Sequence, residues 1–158
     1  MALLRSLEKI RKSKLIAYLA GDRPGMETKV ASDVHPLFYD HLNEMGRQDR
    51  IDLFLYTTGG LTNSAYALVN MIKEYCDHFG IIIPFKALSS GTLMALGADE
   101  IVMTRMGQLS PIDPTITTPY GPQVLVPGKP APDWLPISVE DVNSYINLAK
   151  HEFGIKDQ

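Results

Sequence analysis

A single cysteine, Cys76, stands in 158 residues, which excludes an intrachain disulfide and points to a reducing compartment. Its place in an apolar helical pattern reads as a buried, inert thiol. No apolar run approaches the roughly 20 residues that a membrane-spanning helix needs. The N-terminus is charged but has no apolar stretch before Arg11, so it does not read as a signal peptide; a cytoplasmic setting is expected. Neither sign of charge dominates. Lys and Arg number 15 against 18 Asp and Glu, net −3, which offers no general attraction to nucleic acid or anionic lipid. The one basic cluster, from Arg5 to Lys14, reads as the solvated face of a terminal helix. Four histidines and one cysteine lack metal-ligand spacing, and no phosphate-cradling glycine loop occurs. Neither a metal nor any other cofactor is expected.

What remains is an ordinary globular composition, 45% hydrophobic and 21% charged, with length for one domain and a real core. Residues 2–14 read as an amphipathic helix with Leu3, Leu4, Leu7 and Ile10 on one side. Residues 15–20 read as a strand, followed by turn chemistry over 21–25. Asp33 is placed to cap a helix over 34–46, with Pro36 in its first turn and Gly46 ending it. The nearly apolar run 51–57 has the pattern of a strand covered on both faces. A helix over 62–79 follows, its stripe formed by Ala65, Leu68, Val69, Ile72, Cys76 and Phe79. Strands over 81–87 and 100–104 flank a short small-residue helix over 91–98. This alternation implies an α/β fold with parallel strands and helical crossovers. Residues 107–137 hold most of the prolines and little periodicity, and an ordered segment of that length is usually functional. Ser138 caps a final helix to about 153. No closing strand follows, so residues 1–158 read as a single domain and as a fragment of a longer chain.

Two segments carry the chemistry. Tyr56-Thr57-Thr58-Gly59-Gly60 ends a strand in a glycine pair, where the backbone can adopt positive φ and a carbonyl can approach its N–H groups. Ala87-Leu88-Ser89-Ser90-Gly91-Thr92 places a hydroxyl at a strand-to-helix junction, beside free first-turn N–H groups. A plain turn and a helix N-cap explain each segment taken alone. Together they form the parts of an acyl-transfer site, with Ser89 or Ser90 as the nucleophile.

Residues 51–114 resemble the Clp-protease/crotonase superfamily, and within it the signal-peptide-peptidase-A branch and the serine dehydrogenase proteinase family. The resemblance rests on IDLFLYTTGG at 51–60, ALSSGT at 87–92, ADEIVM at 98–103 and LSPIDP at 109–114. It implies a ClpP/crotonase-like spiral of β-β-α units and a serine peptidase acting on peptides or proteins. By motif it assigns Ser89 as nucleophile, with the N–H groups of Gly60 and Ser90 as oxyanion donors and Gly59 and Gly91 in support. Relatives form rings or stacks, so a homo-oligomer is expected.

The proton acceptor is the open position. Clp proteases place a histidine about twenty-five residues after the serine, but here that neighbourhood reads Ser110-Pro111-Ile112-Asp113-Pro114. His35, His41, His78 and His151 read as surface or packing residues, and Asp113 as a turn former near the Clp base position. Signal-peptide-peptidase relatives use a lysine forty to fifty residues beyond the serine, which Lys129 matches better than Lys150. The alternative function is a catalytically inactive peptide-binding or oligomerisation module of the same fold. An acyl-CoA enzyme is disfavoured because neither oxyanion segment holds a carboxylate.

Overall fold

β2 (Gln48–Tyr56) is the inner strand on which the site is built, and its Ile51, Leu53 and Leu55 are fully buried. In the computed structural model, which describes residues 2–112, 115–116, 120–125 and 131–153, it pairs with β1 (Lys14–Leu19) on one edge and β3 (Cys76–Ile83) on the other. β3 then pairs with β5 (Glu100–Met103), giving an all-parallel sheet of order β1-β2-β3-β5. Parallel neighbours need crossovers. These are α2 (His35–Met45), α3 (Thr62–Glu74) and α4 (Ser90–Leu96), which add Phe38, Leu42, Leu68, Ile72, Met94 and Ala95 to the core. Beyond β3, the short strand β4 (Lys86–Ala87) pairs in parallel with β6 (Gln108–Leu109). The α/β class, the parallel strands and the helical crossovers are as the periodicity predicts.

Three local expectations are corrected. The helix over 62–79 stops at Glu74, and Cys76 and Phe79 belong to β3. Their spacing fits a helical stripe, but pairing with β2 from Gln48↔Cys76 to Phe54↔Ile82 outweighs it, and Gln48 N–H donates to Tyr75 C=O where the helix ends. Asp33 makes no capping hydrogen bond. A short 3₁₀ turn, Ser32–Val34, leads into α2, which does carry Pro36 in its first turn and ends at Gly46 with φ 68°. Finally, the basic cluster is not wholly solvated. At the end of α1 (Ala2–Arg11), Arg11 turns inward to Asp52, a fully buried carboxylate in β2.

Asp52 sits in a closed charge cluster. Arg11 Nε lies 2.9 Å from Asp52 Oδ2, Ser13 Oγ donates to the same oxygen at 2.8 Å, and Arg50 Nη2 lies 3.1 Å from Oδ1. Glu100 joins through Arg11 Nη2 at 2.7 Å and through Arg50. Burial pushes the Asp52 carboxyl up, but the hydrogen bonds from Arg11, Ser13 and Arg50 outweigh it and hold the group below its ordinary range. Glu100, hydrogen-bonded first by Arg11 and then by Arg50, is held down at about 2.

A second compact unit begins at residue 113. In it β7 (Thr115–Ile116) pairs antiparallel with β10 (Ile137–Ser138), and β8 (Gln123–Val124) with β9 (Asp133–Trp134). Ser138 Oγ accepts the N–H groups of Glu140 (3.1 Å) and Asp141 (3.3 Å), capping α5 (Val139–Phe153) as its sequence predicts.

Candidate active site

At the C-terminal end of β2 the chain pairs briefly with β4: Thr57 N–H donates to Lys86 C=O (2.9 Å) and Leu88 N–H to Thr57 C=O (3.1 Å). Thr57 Oγ1 then accepts the Gly59 N–H at 3.0 Å, turning the chain sharply. Gly59 has φ +114°, and a Cβ there would lie 2.8 Å from Ser89 Cβ and 3.4 Å from Ser89 Oγ. The glycine therefore lets the two motifs touch. Gly60 is constrained from the other side, where a Cβ would fall 2.2 Å from Val30 C=O oxygen. Val30 N–H donates to Gly59 C=O (2.9 Å), and Leu61 N–H donates to Val30 C=O (2.7 Å). In a trans peptide the N–H opposes the C=O, so the Gly60 N–H points away from Val30. Among the described residues it has no protein acceptor. On the Val30 side the chain pairs with itself, through a parallel bridge between Val30 and Gly60.

Ser89 precedes α4 with φ 51° and ψ −115°, a conformation sterically costly for any residue with a Cβ, and its hydroxyl makes no capping hydrogen bond. Lys12 is the other non-glycine residue with positive φ among those described. Ser89 is half-buried, whereas Ser90 is fully buried and its Oγ has no hydrogen-bond partner. Of the two serines, only Ser89 is open to solvent, a difference the residue order alone leaves unresolved. Because Ser89 C=O accepts Leu93 N–H (3.1 Å) inside the helix, the Ser90 N–H points out of the helix end, one of the unpaired first-turn donors. Gly91, in the first turn, lets α4 sit against Thr57, since a Cβ there would lie 2.5 Å from Thr57 Cγ2.

Two residues outside the expected set hold this turn. Ser89 N–H donates to Ser110 Oγ at 2.7 Å, and Ser110 N–H donates to Thr92 Oγ1 at 3.0 Å. Thr92 donates in turn to Ala87 C=O at 2.8 Å. Ser110 stands in the same LSPIDP string as Asp113, and nothing local to that string marks its hydroxyl as the partner of Ser89. Asp113 and Lys129 lie outside the described residues. The lysine nearest Ser89 in sequence, Lys86, is ion-paired with Asp22 (3.0 Å), which also accepts the Tyr56 hydroxyl. That carboxylate raises the Lys86 ammonium above its ordinary value, so it stays charged and is no proton acceptor. His35 Nε2 is engaged by Ser64 C=O (3.2 Å), and His78 Nε2 lies 3.8 Å from Glu100. Among the described residues no three His, Cys, Asp or Glu side chains converge as a metal site.

Residues 42–129 match the family of ClpP-like SDH-type serine proteinases, more than half of the chain, a span that includes the Gly59–Gly60 turn, Ser89 and Ser110. The chain belongs to that family. Similarity to individual proteins is more local. Uncharacterized protein MJ1495 of Methanocaldococcus jannaschii is 41% identical over 66 residues, covering 42% of this chain and 23% of its own. Uncharacterized protein MJ0137 of the same organism is 36% identical over 75 residues, covering 48% and 26%. Thus the chain matches about a quarter of the length of these relatives. Among solved structures, two mutants of the 1510-N membrane-bound stomatin-specific protease share the fold. One superposes with TM-score 0.51 at 19% identity over 87% of this chain and 62% of its own. The other, in complex with a substrate peptide, gives 0.52 at 21% identity over 87% and 58%. This SDH-type proteinase chain has, among its described residues, no helix long and apolar enough to cross a membrane.

Proposed function

We propose that this chain is the catalytic part of a serine peptidase that cleaves peptide bonds through an acyl-enzyme on Ser89. The observation that carries the reading is the Ser89 turn. A serine held at φ 51° against Gly59, with its hydroxyl not spent on capping, adjoins the backbone N–H groups of Gly60 and Ser90, which lack protein acceptors among the described residues. Ser89 Oγ attacks the scissile carbonyl carbon and gives its proton to a base. The negative oxygen that forms is held by the two N–H groups, each such donor being worth about 3 kcal/mol in the transition state. The base returns the proton to the leaving amine as the C–N bond breaks, and water then hydrolyses the ester.

The base in this reading is a neutral lysine, with Lys129 the candidate by its spacing from Ser89. An ammonium group must lose its water to deprotonate near neutral pH, so the role requires Lys129 to be buried when substrate is bound. Support comes from the two solved relatives, a serine-to-alanine and a lysine-to-alanine mutant about forty residues apart in that protein. Asp113 is assigned the lesser task of shaping the turn before Pro114.

A fluorophosphonate probe tests the reading, because it traps an activated serine by forming a P–O bond as fluoride leaves. Labelling is expected in the wild-type chain, lost in Ser89→Ala, retained in Ser90→Ala and strongly slowed in Lys129→Ala. Absence of labelling in this chain and in a longer natural one would leave the peptide-binding, non-catalytic module as the better account.

A further inference from the structure

Ser89 needs something to hold it in a backbone conformation that its own side chain disfavours. Its N–H belongs to neither the sheet ladder nor the helix, and the group that receives it is a side chain twenty-one residues later, Ser110 Oγ at 2.7 Å. That hydroxyl has a partner of its own. Its own proton goes to Pro111 C=O at 3.0 Å, which leaves an oxygen lone pair for the Ser89 N–H. Ser110 is anchored in turn, its N–H on Thr92 Oγ1 at 3.0 Å, while Thr92, nearly buried at 7% exposure, donates to Ala87 C=O at 2.8 Å. The bonds form a ring that runs from the residue two before Ser89, through the helix, to Ser110 and back to Ser89 itself.

We propose that Ser110 is a positioning residue that holds the Ser89 backbone in its reactive conformation, with Thr92 orienting Ser110. This rests on the reading of Ser89 as the nucleophile. The ring also separates the neighbouring donors into two kinds. The Ser89 N–H is committed to Ser110, whereas those of Gly60 and Ser90 stay available for a developing oxyanion. Removing the Ser110 hydroxyl leaves the Ser89 N–H without its acceptor and frees the turn to relax. The hydroxyl of Ser89 then shifts relative to the two donors, and small displacements of a reacting atom are costly in rate. Ser110 is not assigned a contact with the substrate, so binding of the probe is untouched.

The experiment measures fluorophosphonate labelling of the full chain as a function of probe concentration, separating the maximal rate from the half-saturating concentration. Ser110→Ala is expected to lower the maximal rate about 10- to 100-fold, with half-saturation within about twofold of wild type. Ser110→Thr, which keeps a hydroxyl, restores most of the rate. Thr92→Val produces a smaller loss in the same parameter, and serves as the variant if Ser110→Ala does not fold. Hydrogen exchange of the Ser89 amide gives an independent readout, expected to quicken in Ser110→Ala and to slow again in Ser110→Thr. A folded Ser110→Ala or Thr92→Val that labels like wild type overturns the positioning role alone. Loss confined to half-saturation, or failure of threonine to restore the rate, also overturns it. A wild-type chain that is not labelled overturns the nucleophile reading, and this inference with it.

Discussion

Strand β2 carries two polar networks, and they are built on opposite rules. At Asp52 every charge is answered: two arginines, a second carboxylate and a serine hydroxyl surround a carboxylate with no exposure to solvent. Five residues later, at Thr57, the chain leaves the sheet beside a neutral ring of hydroxyls and amides, near which two N–H groups and the hydroxyls of Ser89 and Ser90 have no protein partner among the described residues. The first network is complete without any other molecule. In the proposed function, the second is completed by the carbonyl oxygen of a substrate. A buried charge that lost its partners would cost about 3–5 kcal/mol of stability, whereas unpaired donors at a partly exposed helix end are tolerable. In that reading the contrast separates a network that keeps the fold from one that binds and reacts.

Gly60→Ala breaks the second network most severely. The added methyl would lie 2.2 Å from the Val30 carbonyl oxygen, a contact no side-chain rotation relieves. The segment must move, carrying the Gly60 N–H with it. Fluorophosphonate labelling is expected to fall at least 100-fold, the size associated with one lost oxyanion donor. A Gly60→Ala protein that labels at the wild-type rate would remove Gly60 from the site.

Asp52→Asn attacks the first network instead. The shape is kept, but Arg11 and Arg50 are left facing a neutral amide at a fully buried position. Breaking a buried ion pair from one side costs about 3–5 kcal/mol, read as a lower urea midpoint. Per folded molecule, labelling should hold near the wild-type rate, because the cluster shares no hydrogen bond with the ring around Ser89. A specific loss of labelling in the folded fraction would mean that the two networks are coupled along β2.

The same contrast explains what the residue order reveals. Parallel strands separated by helices follow from apolar runs alternating with 3.6-residue stripes, and β1, β2, β5, α2, α4 and α5 lie close to where those patterns put them. The boundary between α3 and β3 does not, because Cys76 and Phe79 satisfy both a helical stripe and a buried strand, and only pairing with β2 decides. The Gly59–Gly60 pair and the Ser89–Ser90 junction are local features and so are readable. Choosing Ser89 over Ser90 depends on burial, which is a tertiary property. The inward turn of Arg11 and the role of Ser110 are less readable still. Each joins residues at least twenty-one positions apart, and neither an arginine in a basic run nor a serine before a proline differs locally from a solvated one.

The smallest effect, and the one that best isolates the charged network, is its response to acid. Glu100 is held at about 2, well below the ordinary carboxylate value of 4.5, by hydrogen bonds from Arg11 and then Arg50. A carboxylate whose folded pKa is depressed adds stability that is fully present above the unfolded value and is lost as pH falls through the folded one. Stability should therefore be flat above about pH 4.5 and decline between there and about pH 2, with Asp52 acting in the same direction. Glu100 is 39% exposed, so solvent screening keeps its share below about 1 kcal/mol at neutral pH. Glu100→Gln should lower the urea midpoint slightly at pH 7 and flatten the decline between pH 4.5 and 2. The hydroxyls and amides of the ring around Ser89 do not titrate in that range. Exchange of the Ser89 amide, corrected for its intrinsic pH dependence, should thus stay protected down to the onset of global unfolding. Loss of that protection ahead of unfolding would show that the acid-sensitive end of β2 controls the neutral end, and the division between the two networks would fail.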